Sequence, residues 1–145
     1  MSKLTSYVTG AALILIVGAC QREAFHPETI DQEYLTLGKG GGIANQVDTY
    51  YLLADGYAYR RSNREETYQE LGRLAQSERT RTFQRAAALS DSLADFREPG
   101  NIYYFLTIHR QDTTYSYTWG SNNYDHPKTI HNFYQDTQTL IQRLP

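Results

Sequence analysis

The sequence IYYFLTIHRQDTTYSYTW, residues 102–119, predicts a β-hairpin with one apolar and one polar face. Apolar and polar side chains alternate along both arms, which is the pattern of strands with one covered face. A four-residue turn would pair Ile108 with Tyr117 and Leu106 with Trp119. One apolar face then collects Ile102, Tyr104, Leu106, Ile108, Tyr115, Tyr117 and Trp119.

A five-residue turn gives the alternative register. It would pair Phe105 with Trp119 and make an aromatic platform opposite a mixed aliphatic face. The shorter turn is favoured because it separates apolar from polar residues more cleanly, leaving Thr107, His109, Ser116 and Thr118 on the polar face. The tyrosine and tryptophan stripe is then interpreted as core rather than as a carbohydrate-stacking surface.

A second hairpin is predicted upstream. Residues 47–54 (VDTYYLLA) and 57–61 (YAYRR) flank Asp55-Gly56, a pair that tolerates the positive φ angles of tight hairpin turns. A short first strand is expected at 34–37, ending where the glycines of 38–42 begin.

Helices are expected in the middle and at the end of the chain. Ser62 and Glu65 fit a capping box, and apolar residues from Tyr68 onward recur at helical spacing. They predict two helices, or one kinked near Ser77, ending before Pro99. A C-terminal helix is predicted after Pro127, with one apolar stripe of Ile130, Phe133, Tyr134, Thr137, Leu140, Ile141 and Leu144.

These elements predict an α+β fold at 34–145. We expect about five antiparallel strands, formed by two hairpins and a first strand, with the central helices and the C-terminal helix packed on one face. The chain carries 14 Lys and Arg against 16 Asp and Glu, a net charge of −2. This balance argues against a nucleic-acid partner.

The first 19 residues read as an export signal. The apolar run at 8–17 is too short for a membrane-spanning helix, which needs about 20 residues, and it suits the apolar region of a signal peptide. The run ends in Val17-Gly18-Ala19-Cys20, which resembles the lipobox of bacterial lipoproteins.

That resemblance implies cleavage between Ala19 and Cys20 and acyl chains on Cys20, which would attach the chain to membrane lipid. The alternative is an ordinary secretory cleavage site followed by an unpaired thiol, which is unfavourable in an oxidising compartment. Residues 20–33 are then a lipidated cysteine and a polar tether. Because Gln21 rather than Asp follows the cysteine, the resemblance implies the outer membrane more than the inner membrane.

No catalytic or cofactor motif is present in the sequence: there is no G-x-S-x-G, no H-E-x-x-H and no P-loop. His126 and His131 are the residues to weigh for a metal site or an enzyme. On one helix they would lie about 140° apart around the axis, too far to share a ligand set. We therefore expect no enzyme, no metal and no cofactor.

The glycine-rich segment Gly40, Gly41, Gly42, Ile43 and Ala44 is the candidate partner-binding loop. Its glycines either let the first strand bend and pack closely, or leave exposed amides against a partner's backbone.

Several segments together resemble a group of small uncharacterised lipoproteins from Bacteroidota-type bacteria. They are GGGIANQVDTYYLLADGYAYR, PGNIYYFLTI, YTWG and HPKTIHNFYQDTQTLI. More remotely, the glycines after a first strand, the central helix, the tyrosine-bearing strand and the closing P-x-x-I helix resemble emfourin-type inhibitors of thermolysin-like metalloproteases. The chain departs from the emfourin pattern at Ala44-Asn45, where a Gly is expected.

The expected function is thus that of a lipid-anchored cell-envelope protein that binds an envelope or extracellular protein. A metalloprotease inhibitor is the alternative, and an enzyme or metal binder using His126 and His131 is the second alternative.

Overall fold

The computed structural model describes residues 24–145, in which a short 3-10 turn, Pro27–Thr29, precedes the strands and helices. The strands are β1 (Tyr34–Gly41), β2 (Asp48–Leu53), β3 (Tyr57–Ser62), β4 (Gln69–Arg73), β5 (Phe96–Arg97), β6 (Ile102–Arg110) and β7 (Thr113–Trp119). Helix α1 (Gln76–Ser92) lies between β4 and β5, and helix α2 (Lys128–Gln142) follows β7.

The described strands form a single sheet in the order β4-β3-β2-β1-β6-β7-β5. Neighbouring strands run antiparallel, except that β5 pairs with β7 in parallel. The α+β class is therefore confirmed, while the sheet has seven strands rather than about five. The two additional strands, β4 and β5, lie at the sheet edges.

One face of the sheet packs on both helices. Leu35 and Leu37 of β1 lie in the same buried cluster as Leu106 of β6, Ala86 of α1 and Phe133 of α2. Because side chains alternate along each strand, the residues between them point to the opposite face, on which no helix of residues 24–145 packs. We call this opposite side the open face.

The hairpin of β6 and β7 keeps its predicted face but not its predicted register. Ile108 lies opposite Tyr115 instead of Tyr117, and Leu106 lies opposite Tyr117 instead of Trp119. The turn has only two residues, Gln111 and Asp112, because Arg110 pairs with Thr113. Gln111 takes the positive φ, 46°, that such a tight turn requires. Shortening the turn by two residues moves each pair by two positions, so the apolar stripe still faces the core, except that Ile102 at the start of β6 is exposed.

Tyr117 and Trp119 are accordingly buried, as predicted. The Tyr117 hydroxyl donates a hydrogen bond to the Leu93 carbonyl oxygen at 3.0 Å. Burial raises the pKa of this phenol to about 12. The five-residue alternative, with Phe105 opposite Trp119, is wrong.

The Asp55-Gly56 hairpin is confirmed, with Leu52 opposite Ala58. Gly56 takes φ +96°, and the Asp55 carboxylate accepts a hydrogen bond from the Tyr57 amide at 3.1 Å. This is the local turn chemistry expected of the Asp-Gly pair.

The predicted capping box forms only in part and starts no helix, since the Ser62 hydroxyl accepts a hydrogen bond from the Arg64 amide at 3.4 Å rather than from the Glu65 amide. The Ser62 amide donates to the Glu65 carboxylate at 3.1 Å, and the Glu65 amide donates to the Ser62 carbonyl oxygen at 3.0 Å. These bonds close the turn between β3 and β4. Residues 69–73 then pair with β3 as a strand, because sheet pairing overrides the helical spacing of their apolar side chains.

The central helical region is a single helix, α1, which begins at Gln76, and Phe96 beyond it belongs to β5. The C-terminal helix is confirmed. Its buried residues are Ile130, Phe133, Tyr134, Thr137 and Ile141.

The predicted break of the first strand at Gly38 is also wrong. Strand β1 continues to Gly41, where it lies opposite Ile102 of β6. A Cβ atom on Gly38 would overlap the Asp48 carbonyl oxygen and would lie 2.7 Å from Cζ of Phe105. At this position glycine lets the neighbouring strand and the Phe105 ring approach the β1 backbone closely.

Replacing Gly38 with Ala should therefore strain the centre of the sheet. We expect the free energy of unfolding to fall by about 1–3 kcal/mol, the range of overpacking substitutions, as measured by urea denaturation. Lys39→Ala, at an exposed position of the same strand, is the control and should stay near the parent value. Equal stability of both variants would contradict the close approach at Gly38.

Candidate functional site

The predicted partner-binding loop divides between a strand and a turn. Gly40 and Gly41 belong to β1, and the chain turns at 42–45. Gly41 and Gly42 take φ +96° and +77°, and Asn45 takes φ 44°. These left-handed angles reverse the chain within a few residues and place Ile43 at the tip.

Ile43 is fully exposed. An isoleucine in this position gains nothing from the core, since its whole side chain contacts water. Ala44 beside it is also exposed. The tip of the turn thus presents a small apolar surface on a polar background.

Hydrogen bonds hold the turn from two sides. The Gly42 amide donates to the Asn101 carbonyl oxygen at 2.8 Å. From the β3–β4 turn, Asn63 Nδ2 donates to the Asn45 carbonyl oxygen at 2.9 Å and Arg64 donates to that of Ala44 at 3.0 Å. These contacts fix the backbone on which Ile43 is displayed.

A groove of about 940 Å³ lies next to this turn on the open face. Val47 lines it beside the turn, and Tyr103 and Phe105 of β6 contribute aromatic rings. The predicted alternation puts these two rings on the side away from the helices. The two rings contact the glycines of β1 because β1 pairs with β6. This strand pairing was not predicted from the sequence.

The other part of the open face is occupied by the N-terminal segment. Phe25 stacks on Tyr59 at a centroid distance of 4.0 Å and meets the rings of Tyr51 and Tyr68 edge-on at 5.4 and 5.1 Å. Phe25 falls within the predicted tether, 20–33, and nothing in the polar sequence around it indicated this contact. Ala19 and Cys20 lie outside the described residues.

His126 and His131 lie together, contrary to the helical-spacing argument. His126 precedes α2, so it is not bound by the helical angle, and its Nε2 lies 3.3 Å from Nδ1 of His131. The His126 ring also stacks on Trp119 at 5.6 Å. Within residues 24–145, no group of three or more His, Cys, Asp and Glu side chains is arranged to hold a metal ion.

Burial lowers the pKa of His126, and the neighbouring His131 lowers it further, while Asp125 opposes the shift. His109 also has a lowered pKa because it is partly buried. This ring stacks on Tyr34 at a centroid distance of 3.9 Å.

The chain matches no protein-family model, and no curated protein matches it. None of the helices within the described residues is long and apolar enough to cross a membrane.

The lowered histidine pKa values predict acid sensitivity. Both groups are neutral in the folded chain above the ordinary pKa of 6.5, and protonating them costs folding free energy. The stability that the two neutral histidines contribute is fully present above pH 6.5. It is lost as the pH falls through their lowered pKa values. The urea concentration at the unfolding midpoint should therefore decrease as the pH is lowered from about 7 to about 5.

His126→Gln should make this decline shallower, with His109 supplying the remainder. His26→Gln, at an exposed position, is the control and should keep the parent slope. If His126→Gln also kept the parent slope, the contact of His126 with His131 and Trp119 would have no effect on acid stability.

Proposed function

We propose that this chain is a lipid-anchored protein of the cell envelope whose domain binds another protein through the turn at 42–45. The function is binding rather than catalysis. Fully exposed Ile43 on a fixed backbone is the observation that carries this proposal.

The turn suits binding for an energetic reason. A loop that orders only on binding pays conformational entropy from the binding free energy. The turn at 42–45 is already held by bonds from Asn101, Asn63 and Arg64, so an apolar side chain at its tip can enter a partner pocket at lower cost. In protein interfaces a few well-packed, fully desolvated side chains carry most of the binding free energy, and Ile43 is the side chain of this turn placed to be one of them.

The membrane attachment rests on Cys20 and the residues before it. Two or three acyl chains would hold the protein at the membrane permanently, since each buried CH₂ contributes about 0.8 kcal/mol and one chain alone binds only marginally. The outer membrane is the proposed location. The partner is an envelope or extracellular protein.

Cys20→Ser tests the anchor. Without a thiol to receive diacylglycerol, the protein should leave the membrane fraction and should no longer incorporate radioactive palmitate. The parent chain, fractionated and labelled in parallel, is the reference. If the parent chain remained unlabelled, or if the variant stayed in the membrane fraction, Cys20 would not be the anchor.

Ile43→Asp tests the turn. Crosslinking of the full chain in the envelope should capture a partner, and the variant should lose it, because a carboxylate cannot be buried in an apolar pocket without a large cost. Stability should be unchanged, since the Ile43 side chain contacts only water. Ala88→Asp adds the same charge at an exposed position on α1 and should retain capture.

The emfourin-type resemblance implicates the same turn, so a thermolysin-like metalloprotease is the first purified bait. Inhibition by the parent chain and by Ala88→Asp, but not by Ile43→Asp, would identify the partner as such a protease. Capture that is equal for Ile43→Asp and Ala88→Asp would show that the turn is not the binding site.

A further inference from the structure

The open face is covered unevenly. Phe25 packs over β2 and β3 through Tyr51 and Tyr59, whereas the part over β6 and β7 is the groove of about 940 Å³. A cavity of this volume is at the upper end of the range that proteins use for small ligands, about 300–1,000 Å³.

Two aromatic rings lie low in this groove. Cζ of Phe105 is 2.7 Å from the point where a Cβ of Gly38 would be, and Cζ of Tyr103 is 2.6 Å from that of Gly40. The rings therefore extend across β1 into the space that side chains would fill. Their centroids are 6.4 Å apart and their planes differ by 40°, so together they form a shallow aromatic platform.

Beside the platform is a row of hydroxyl groups. Thr107 of β6 and Ser116 and Thr118 of β7 line the same groove. No hydrogen bond joins any of these three hydroxyls to another residue of the described chain. A hydroxyl can both donate and accept, so the row offers adaptable hydrogen bonding next to flat apolar surfaces.

The groove carries almost no net charge. Its ionisable lining residues are Asp95 and Arg97, one of each sign, together with the Tyr103 phenol. A polyanion such as a nucleic acid needs an excess of Lys and Arg. The lining therefore fits an uncharged ligand.

The strands below the groove also argue against an extended peptide. A peptide gains affinity on a sheet by pairing with unpaired backbone at an edge. Here β1 is paired on both sides, with β2 and β6, and β6 is paired with both β1 and β7. The edge strand β5 also lines the groove, but it has only two residues, Phe96–Arg97, too few for a peptide to pair along. The groove therefore offers mainly side chains rather than backbone partners.

We propose that this groove binds an uncharged glycan. The apolar faces of the sugar rings pack on Tyr103 and Phe105, and the sugar hydroxyls exchange hydrogen bonds with Thr107, Ser116 and Thr118. This site is separate from Ile43 and does not depend on the protein-binding function of the turn.

The test titrates the full chain in a detergent without a sugar headgroup, using cellotetraose, maltotetraose and chitotetraose as separate probes. At least one probe should give saturable shifts of the amide NMR signals of Thr107, Ser116 and Thr118 at millimolar concentration. A sulfated heparin tetrasaccharide is the charged comparison and should bind more weakly. No shift with any neutral probe, or stronger binding of heparin, would overturn the proposal.

Substitutions then locate the site. Phe105→Ala should weaken binding by about tenfold or more, equivalent to about 1.4 kcal/mol. Since that change also uncovers Gly38, the double variant Thr107→Val with Ser116→Ala removes two groove hydroxyls while leaving the rings in place, and it should weaken binding likewise. Thr80→Val, on the exposed surface of α1, is the matched control.

Unchanged affinity in the double variant would overturn the proposal even if Phe105→Ala failed to fold. Ile43→Asp should bind the glycan as the parent chain does, so loss of protein capture and loss of glycan binding are separable results.

Discussion

The pairing of β1 with β6 is the constraint on which the rest of the molecule depends. Eight residue pairs, from Tyr34 opposite His109 to Gly41 opposite Ile102, join the N-terminal hairpin to the C-terminal one. The same register puts Leu37 beside Leu106 under the helices and Gly38 beside Phe105 on the open face. At its end the Gly42 amide bonds to Asn101, so the register that builds the core also positions the exposed turn.

What could be predicted from the sequence was local or periodic. The Asp55-Gly56 turn follows from backbone preferences within two residues, and the buried stripe of β6, β7 and α2 follows from alternation and helical spacing. The register of β6 and β7 was two residues off, because alternation fixes which face a side chain occupies but not the length of the turn. Residues 69–73 were predicted as helix, since their pairing with β3 depends on tertiary contact.

For the candidate site, too, local features were predictable from the sequence and tertiary contacts were not. The glycine-rich composition of 40–44 predicted a candidate loop, but only the folded chain shows that Ile43 is fully exposed at the tip of the turn. The platform of Tyr103 and Phe105 could not be assigned, because it requires knowing that the glycines of β1 lie opposite these rings. The contact between His126 and His131 was missed because His126 lies before α2, where the helical angle does not apply.

Phe25 has a geometric consequence if Cys20 carries the acyl chains. Five residues of chain reach at most about 18 Å, less than the roughly 29 Å width of a seven-stranded sheet. Phe25 is held among Tyr51, Tyr59 and Tyr68. The segment that links Cys20 to the domain is therefore shorter than the sheet is wide. The bilayer surface would then lie within about 18 Å of the part of the open face that Phe25 covers, so a partner bound to this part of the domain would also be held near the membrane.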